Sequence, residues 1–166
     1  VQHNLTLLGK LTKGALAELR ALLLELRPEH LIATPLERLL MQLGEAFTGR
    51  MGTPVQVMAN CDSLYRPPPA VQVAAYRIAQ EALNNVAKHA QAQNVTINLT
   101  LRPGLLRLSI LDDGRGFDAP AQTQSQLGIS IMHARAAEIG AELTIDSAPG
   151  MGTQIFLIWN EAAAAQ

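Results

Sequence analysis

Cysteine is almost missing from this chain. The single one, Cys61, has no partner for an intramolecular disulfide, and neither a CxxC pair nor a His-rich run offers zinc ligands. A reducing compartment is therefore the simpler expectation. No run of about 18 apolar residues occurs, so nothing reads as a membrane-spanning helix. The N-terminus also lacks the charged and apolar regions of a signal peptide. Clustered positive charge is absent as well. Lysine and arginine number 13 against 14 aspartates and glutamates, a formal net charge of −1, and the basic residues stand singly. Nucleic acid and anionic membrane surfaces both need a basic stripe, so neither is an expected partner.

What is present suits a folded core: 48% of the residues are apolar and only 16% charged, too apolar a balance for a disordered tail. A length of 166 residues fits one domain and a short appendage. The appendage reads as a helix, because Leu5, Leu8, Thr12, Ala15, Leu19, Leu22 and Leu26 recur three and four residues apart, as in a heptad seam. Leu7, Leu16 and Leu23 widen that face, which favours half of a dimerising helical bundle over a helix lying on its own domain. Pro28 is expected to end it. Because the sequence begins inside this pattern, a piece of a longer protein is expected, with any membrane anchor upstream and this part cytoplasmic.

Thr34, Pro35 and Glu37 read as a helix start, with Thr34 as N-cap, proline first in the helix and glutamate closing a capping box. The helix should run to about Phe47, and after Gly52 and Pro54 the alternation of Val55, Val57 and Ala59 predicts an edge strand. Three prolines, Pro67 to Pro69, introduce the longest helical pattern, about Ala70 to Ala90. Alternating runs at Val95–Leu101 and Leu106–Ile110, joined across Arg102, Pro103 and Gly104, predict an antiparallel hairpin. A polar stretch follows, then a helix from Gly128 to Ile139 stopped by Gly140, then strands Leu143–Asp146 and Gln154–Trp159 around a tight turn. Helices interleaved with hairpins predict an α+β, two-layer sandwich with helices on one face of a mixed sheet. The expected divisions are 1–28 for the appended helix, 29–160 for the domain and 161–166 for an Ala-rich tail.

Two places carry chemistry. Glu81, Asn85 and His89 lie four residues apart, so they project from one face of the long helix, beside Lys88. By itself that spacing also fits an ordinary solvated stripe. Directly after the second hairpin strand comes Asp112-Asp-Gly114-Arg-Gly116-Phe, which is more than a hairpin turn: no strand follows, and a second glycine is unnecessary for one. Gly114, Gly116 and Ala119 also match a dinucleotide fingerprint, but that motif must open a helix and here Pro120 and a polar run follow. No phosphate-binding G-x-x-x-x-G-K-S/T loop occurs.

These residues resemble the GHKL ATPases, a family that includes sensor histidine kinases, gyrase-type topoisomerases, Hsp90-type chaperones and MutL-type repair proteins. Glu81-Ala-Leu-Asn-Asn85-Val-Ala-Lys88-His89 resembles the family's N box, Asp112 to Gly116 its first glycine box, Leu127-Gly128 its second, and Gly150-Met-Gly152-Thr153 its third. The order and placement of all four make the combination specific. Arg77-Ile-Ala-Gln-Glu81, the short loop from Ala119 to Gln126 and Leu26-Arg-Pro28 are most similar to the nitrate-sensor type of histidine kinase, with its NarL-type response-regulator partner.

The resemblance implies the ATP-binding sandwich known as the Bergerat fold, with ATP and Mg²⁺ as cofactors. It implies that Asp112 takes the amino hydrogen of adenine and that Gly114 and Gly116 let backbone lie close to base and ribose. Asn85 is then the Mg²⁺ ligand, and Lys88, His89 and the amides at Gly128 meet phosphate. Gly152 belongs to the third box, and Thr153 is either a neighbour of the adenine or an ordinary strand threonine. Glu81 matches a residue that activates water in hydrolysing members. Arg115 has no assigned role. Kinases of this kind carry an acceptor histidine followed by an acid, and His3, His30 and His133 lack that context. The expected function is therefore a protein histidine kinase domain, inactive in autophosphorylation alone. It passes the γ-phosphoryl group to a histidine on another helix, for relay to a response regulator within a homodimeric full-length protein. The rival expectations are a nucleotide-switched clamp or chaperone-type domain and a binding module without turnover.

Overall fold

The computed structural model describes residues 28–117 and 125–164. The leucine seam of the appended helix lies outside the described residues, as does most of the loop between Ala119 and Gln126. The elements are α1 (Pro28–Ala33), α2 (Leu36–Met51), β1 (Val55–Cys61) and α3 (Pro69–Asn85), the last running into a π-helical turn (Val86–Ala90). They continue as β2 (Val95–Arg102), β3 (Leu105–Asp112), α4 (Ser125–Glu138), β4 (Glu142–Ser147), β5 (Thr153–Asn160) and α5 (Glu161–Ala164).

Five strands form one mixed sheet in the order β1-β2-β3-β5-β4, with β1 parallel to β2 and every other pair antiparallel. The strands alternate as a sheet with one covered face must. Val95, Ile97, Leu99 and Leu101 of β2, Leu106, Leu108 and Ile110 of β3, and Ile155, Leu157 and Trp159 of β5 are all buried. They meet Leu39 and Leu40 of α2, Tyr76, Ile78 and Leu83 of α3, and Met132 of α4 in one core. The opposite face is mainly polar, with Asn98 donating to Ser109 across the hairpin at 3.0 Å. This is the two-layer sandwich that the element order predicts.

The start of α2 departs from expectation. Pro35, with φ −53° and ψ 139°, is itself the cap, Leu36 is the first helical residue, and no side chain caps the end. Glu37 does not close a capping box; its Oε2 is buried without a hydrogen-bond partner. Pro28 opens α1, where the sequence pattern has it end a helix. What secures α1 is a residue that periodicity hides in an apolar face. The side-chain amide of Gln72, buried in α3, donates to the carbonyls of Leu31, Ile32 and Thr34, groups at a helix end that have no intrahelical partner. The C-terminal end of α4 takes the expected form. Gly140 has φ 65°, its N–H donates to Ala137 O and that of Ala141 to Ala136 O, the paired bonds of a Schellman motif. Residues 161–164 of the Ala-rich tail form a short helical turn that Asn160 Oδ1 begins by accepting from Ala162 N–H at 3.0 Å.

Candidate nucleotide site

Strand register builds one side of the site. Asp112 ends β3 and pairs with Thr153, which begins β5 and pairs with Ser147, which ends β4. In β3 the series Leu106, Leu108, Ile110, Asp112 keeps to one face, so the period of two carries the carboxylate in beneath the helices. Because β3 and β4 both run antiparallel to β5, their C-terminal ends and the start of β5 share one edge of the sheet. Three polar side chains thereby line up where the apolar rows stop.

The helices supply the other side. Ala82, Asn85, Val86, His89 and Ala90 face a cavity with about 610 Å³ of atom-free space, part of it open to solvent. Its floor is Ile110, Ile145 and Ile155; Ile129 and Met132 of α4 close one end, and Arg115, Gly116 and Phe117 form the rim with Asp112 and Thr153. An apolar slot with a few convergent polar groups suits a flat, partly polar ligand. Asp112 and Asn85 share it, so the acid and the amide singled out in the sequence are brought together.

Burial pushes the Asp112 carboxyl above the usual carboxylate range and the neighbouring charge of Asp113 pushes the same way, while the Gly114 amide and the Thr153 hydroxyl hold it down. The Gly114 N–H donates to Asp112 Oδ1 at 2.9 Å. Asp113 points elsewhere and has a different task. Its Oδ1 accepts from the amides of Gln93 and Asn94 at 2.7 and 2.8 Å, and its Oδ2 from Asn94 Nδ2 at 2.8 Å. These bonds, the Asn94 side chain first among them, hold its carboxyl below the usual range. They also lock the segment after the π-helical turn to the glycine-rich loop.

The glycines are required by neighbouring chain. A Cβ on Gly114 would strike the Ala90 carbonyl, one on Gly116 the Ala148 carbonyl, and one on Gly152 the Asp112 carbonyl. Gly116 and Gly152 also have φ 59° and 70°. The two glycine boxes thus interlock with each other and with the end of the long helix, which is what allows the loop to form the rim. Gly128, expected at the start of a helix, sits inside α4, and a Cβ there would meet the Glu81 carboxylate, with Asn85 Nδ2 at 3.4 Å.

Two of the singled-out helix residues lie off the cavity lining. Glu81 does not line the cavity but packs beneath Gly128. Lys88 is exposed and outside the lining, whereas His89 is within it. Ala82, Asn85, Val86 and His89 keep the three- and four-residue spacing of one helical face through the π-helical turn, and Lys88 falls off that face. Arg115, unassigned from sequence, stands exposed at the rim. Ser147 was missed by motif reading. It accepts from Phe117 N–H at 3.0 Å, donates to Gly152 O at 2.8 Å and lies 3.2 Å from Thr153 Oγ1. Its signal was available, since it continues the Leu143, Ile145 alternation at a strand end as Asp112 does in β3.

Residues 70–163 match the family described as histidine kinase-, DNA gyrase B- and HSP90-like ATPase. Among curated proteins, the chain is similar to the sensor histidine kinase LiaS of Bacillus subtilis, 36% identical over 138 residues, 83% of this chain and 38% of that protein. It is also similar to the sensor protein VraS of Staphylococcus saprophyticus, 32% identical over 155 residues, 93% of this chain and 44% of that one. The chain thus spans less than half the length of these relatives. Among solved structures, the histidine kinase domain of a blue-light activated kinase from Erythrobacter litoralis shares the fold with TM-score 0.61 at 23% identity, over 79% of this chain and 68% of that one. Full-length ShkA in complex with AMPPNP does so with TM-score 0.59 at 21% identity, over 76% and 30%.

Proposed function

The chain belongs to the histidine kinase-, DNA gyrase B- and HSP90-like ATPase family, and on that premise we propose that it is the Mg-ATP-binding catalytic domain of a two-component sensor histidine kinase. It donates the γ-phosphoryl group to a histidine on a phosphoacceptor helix of the same or a partner subunit, for relay to a response regulator. The observation that carries this reading is the shared cavity of Asp112 and Asn85 over an isoleucine floor. The similarity to sensor kinases, and to a ShkA structure whose complex holds AMPPNP, supports it.

Adenine lies in the apolar slot with its amino group donating to Asp112, a contact guanine cannot make because it presents a carbonyl there. The triphosphate extends toward Asn85 and His89. The chain's donors would suit magnesium: Asn85 would offer a neutral amide oxygen from the cavity wall, with Glu81 one turn earlier outside the lining, and phosphates and waters would supply further oxygens. When bound, the ion neutralises phosphate charge. Of the chain's own basic side chains, His89 and Arg115 border the cavity, and Lys88 reaches the phosphates only by its long side chain from outside the lining. Phosphoryl transfer asks chiefly for such positioning and charge compensation, so the nucleophile can come from another element. Glu81 provides a carboxylate for slow hydrolysis if a water reaches it. The nitrate-sensor assignment, its NarL-type regulator partner, the homodimer and a cytoplasmic location belong to this proposal and rest on the sequence resemblance.

Calorimetric titration with ATP, with and without Mg²⁺, tests the binding. Asn85→Ala is expected to remove the magnesium-dependent part of the affinity, and an unchanged magnesium effect counts against the ligand role. In the full-length protein, γ-labelled ATP should leave acid-labile label on the chain. Tight ATP binding without such label would favour the nucleotide-switched clamp.

A further inference from the structure

The register row at the sheet edge contains more acceptors than hydroxyl protons to satisfy them. Ser147 has one proton and two acceptors within reach, Gly152 O at 2.8 Å and Thr153 Oγ1 at 3.2 Å. Thr153 likewise has one proton, and both the Asp112 carboxylate and Ser147 Oγ are in position to take it. The backbone removes one ambiguity. Phe117 N–H donates to Ser147 Oγ, and the serine's own proton, which rests on Gly152 O at 2.8 Å, can turn to Thr153 Oγ1 at 3.2 Å when that oxygen lacks a donor. Whenever Asp112 is ionised, the stronger charge-assisted bond draws the Thr153 proton to the carboxylate. The threonine oxygen then needs a donor of its own, and among the residues described around it Ser147 is the hydroxyl at hand.

We propose that Ser147 is a positioning residue for nucleotide recognition, the outer member of a hydroxyl relay Ser147→Thr153→Asp112 that aims the Asp112 carboxylate as an acceptor into the cavity. The same serine ties three pieces of the rim together: Phe117 of the first glycine loop, Gly152 of the second, and Thr153. Its hydroxyl therefore couples the shape of the adenine slot to the protonation of the acid that reads the base. The proposal rests on the ATP reading, because an acceptor aimed into the cavity is useful only to a ligand that donates there. The other ionisable groups bordering Asp112 are Asp113 beside it, Arg115 on the loop and His89 from the π-helical turn. A shift caused by the relay must therefore appear with those three unchanged.

The experiment is a titration of the whole 166-residue chain with ATP and with GTP, in Mg²⁺, from pH 5 to pH 8, on wild type, Ser147→Ala, Ser147→Cys and Ser147→Thr. Loss of the relay should weaken ATP by about tenfold in Ser147→Ala, narrow the ATP-over-GTP ratio by a similar factor, and move the acid limb of ATP binding to higher pH. Ser147→Thr keeps a hydroxyl and should stay within about threefold of wild type in both respects. Damage to packing alone lowers both nucleotides together and leaves the acid limb in place, so that result overturns the relay. If Ser147→Ala fails to fold, Ser147→Cys decides: its thiol keeps the shape but donates weakly, and an acid limb at the wild-type pH overturns the proposal. A folded wild-type chain that binds neither nucleotide sinks the ATP reading itself. Wild-type binding with unchanged Ala and Cys variants sinks only the relay.

Discussion

At the scale of single residues, Asp112 serves two opposed demands. As the end of an apolar row it is carried into the core side of the sheet, where ionisation is disfavoured, yet it must be ionised to accept from a base. Folding raises its pKa, so the folded chain holds that proton more tightly than the unfolded chain. Its contribution to stability is thus most favourable at low pH and declines as pH rises through the raised value. Asp112→Asn removes the penalty. The nucleotide-free variant is expected to melt above wild type at pH 7 while binding ATP at least about tenfold more weakly. Paired melting curves and titrations check this, and a variant that melts lower without nucleotide contradicts the burial penalty. Asp113 behaves with the opposite sign. Its lowered pKa means stability present at neutral pH and lost as pH falls through the lowered value. Asp113→Ala should therefore melt below wild type at pH 7, with the gap closing in acid; a gap independent of pH would mean that the Asn94 clamp is not electrostatic.

At the scale of elements, the long helix and its ending decide the geometry. The π-helical turn finishes at Gln91 with φ 52°, a left-handed conformation that a residue with a Cβ adopts at a cost of roughly 1–2 kcal/mol. Gln91→Gly removes that strain but adds freedom to the unfolded chain, so a net gain of about 0.5 kcal/mol is expected in denaturant unfolding, and a loss would show that the side chain supports the turn. At the other end of the same helix, Gln72 secures α1 by donating to its last carbonyls. Gln72→Leu has a similar volume but no donors. It should cost roughly 2 kcal/mol by leaving buried carbonyls unpaired, and an unchanged denaturation midpoint would show that water replaces the amide.

At the scale of the whole molecule, the sheet is protected unevenly. β3 lies between β2 and β5, whereas β1 and β4 are edges. Amide exchange should be slowest in β2, β3 and β5 and faster in the two edge strands. The candidate site spans both regimes, because Asp112 comes from the centre and Ser147 from an edge. Mg-ATP is therefore expected to slow exchange in β4 and in the turn from Ala148 to Gly152 more than in β2. Uniform slowing across the sheet would mean that the ligand stabilises the domain without tightening this edge.

The amino-acid sequence determined what local pattern can determine. Alternation in Val95–Leu101 and Leu106–Ile110 defined the hairpin, Gly140 marked a helix end, and the order of four motifs was enough to imply the family. These depend on neighbours within a turn or a strand, so periodicity reports them directly. Only tertiary structure decided which residues meet. Inserting β5 between β3 and β4 sets Asp112, Thr153 and Ser147 in one row, and no local spacing encodes that pairing. His89 shares the cavity with Asn85, as the four-residue spacing expects, whereas Glu81 one turn earlier packs beneath Gly128 instead. Glycines read as room for a ligand also make room for neighbouring backbone, a need that periodicity cannot show because close packing between segments distant in sequence leaves no periodic trace.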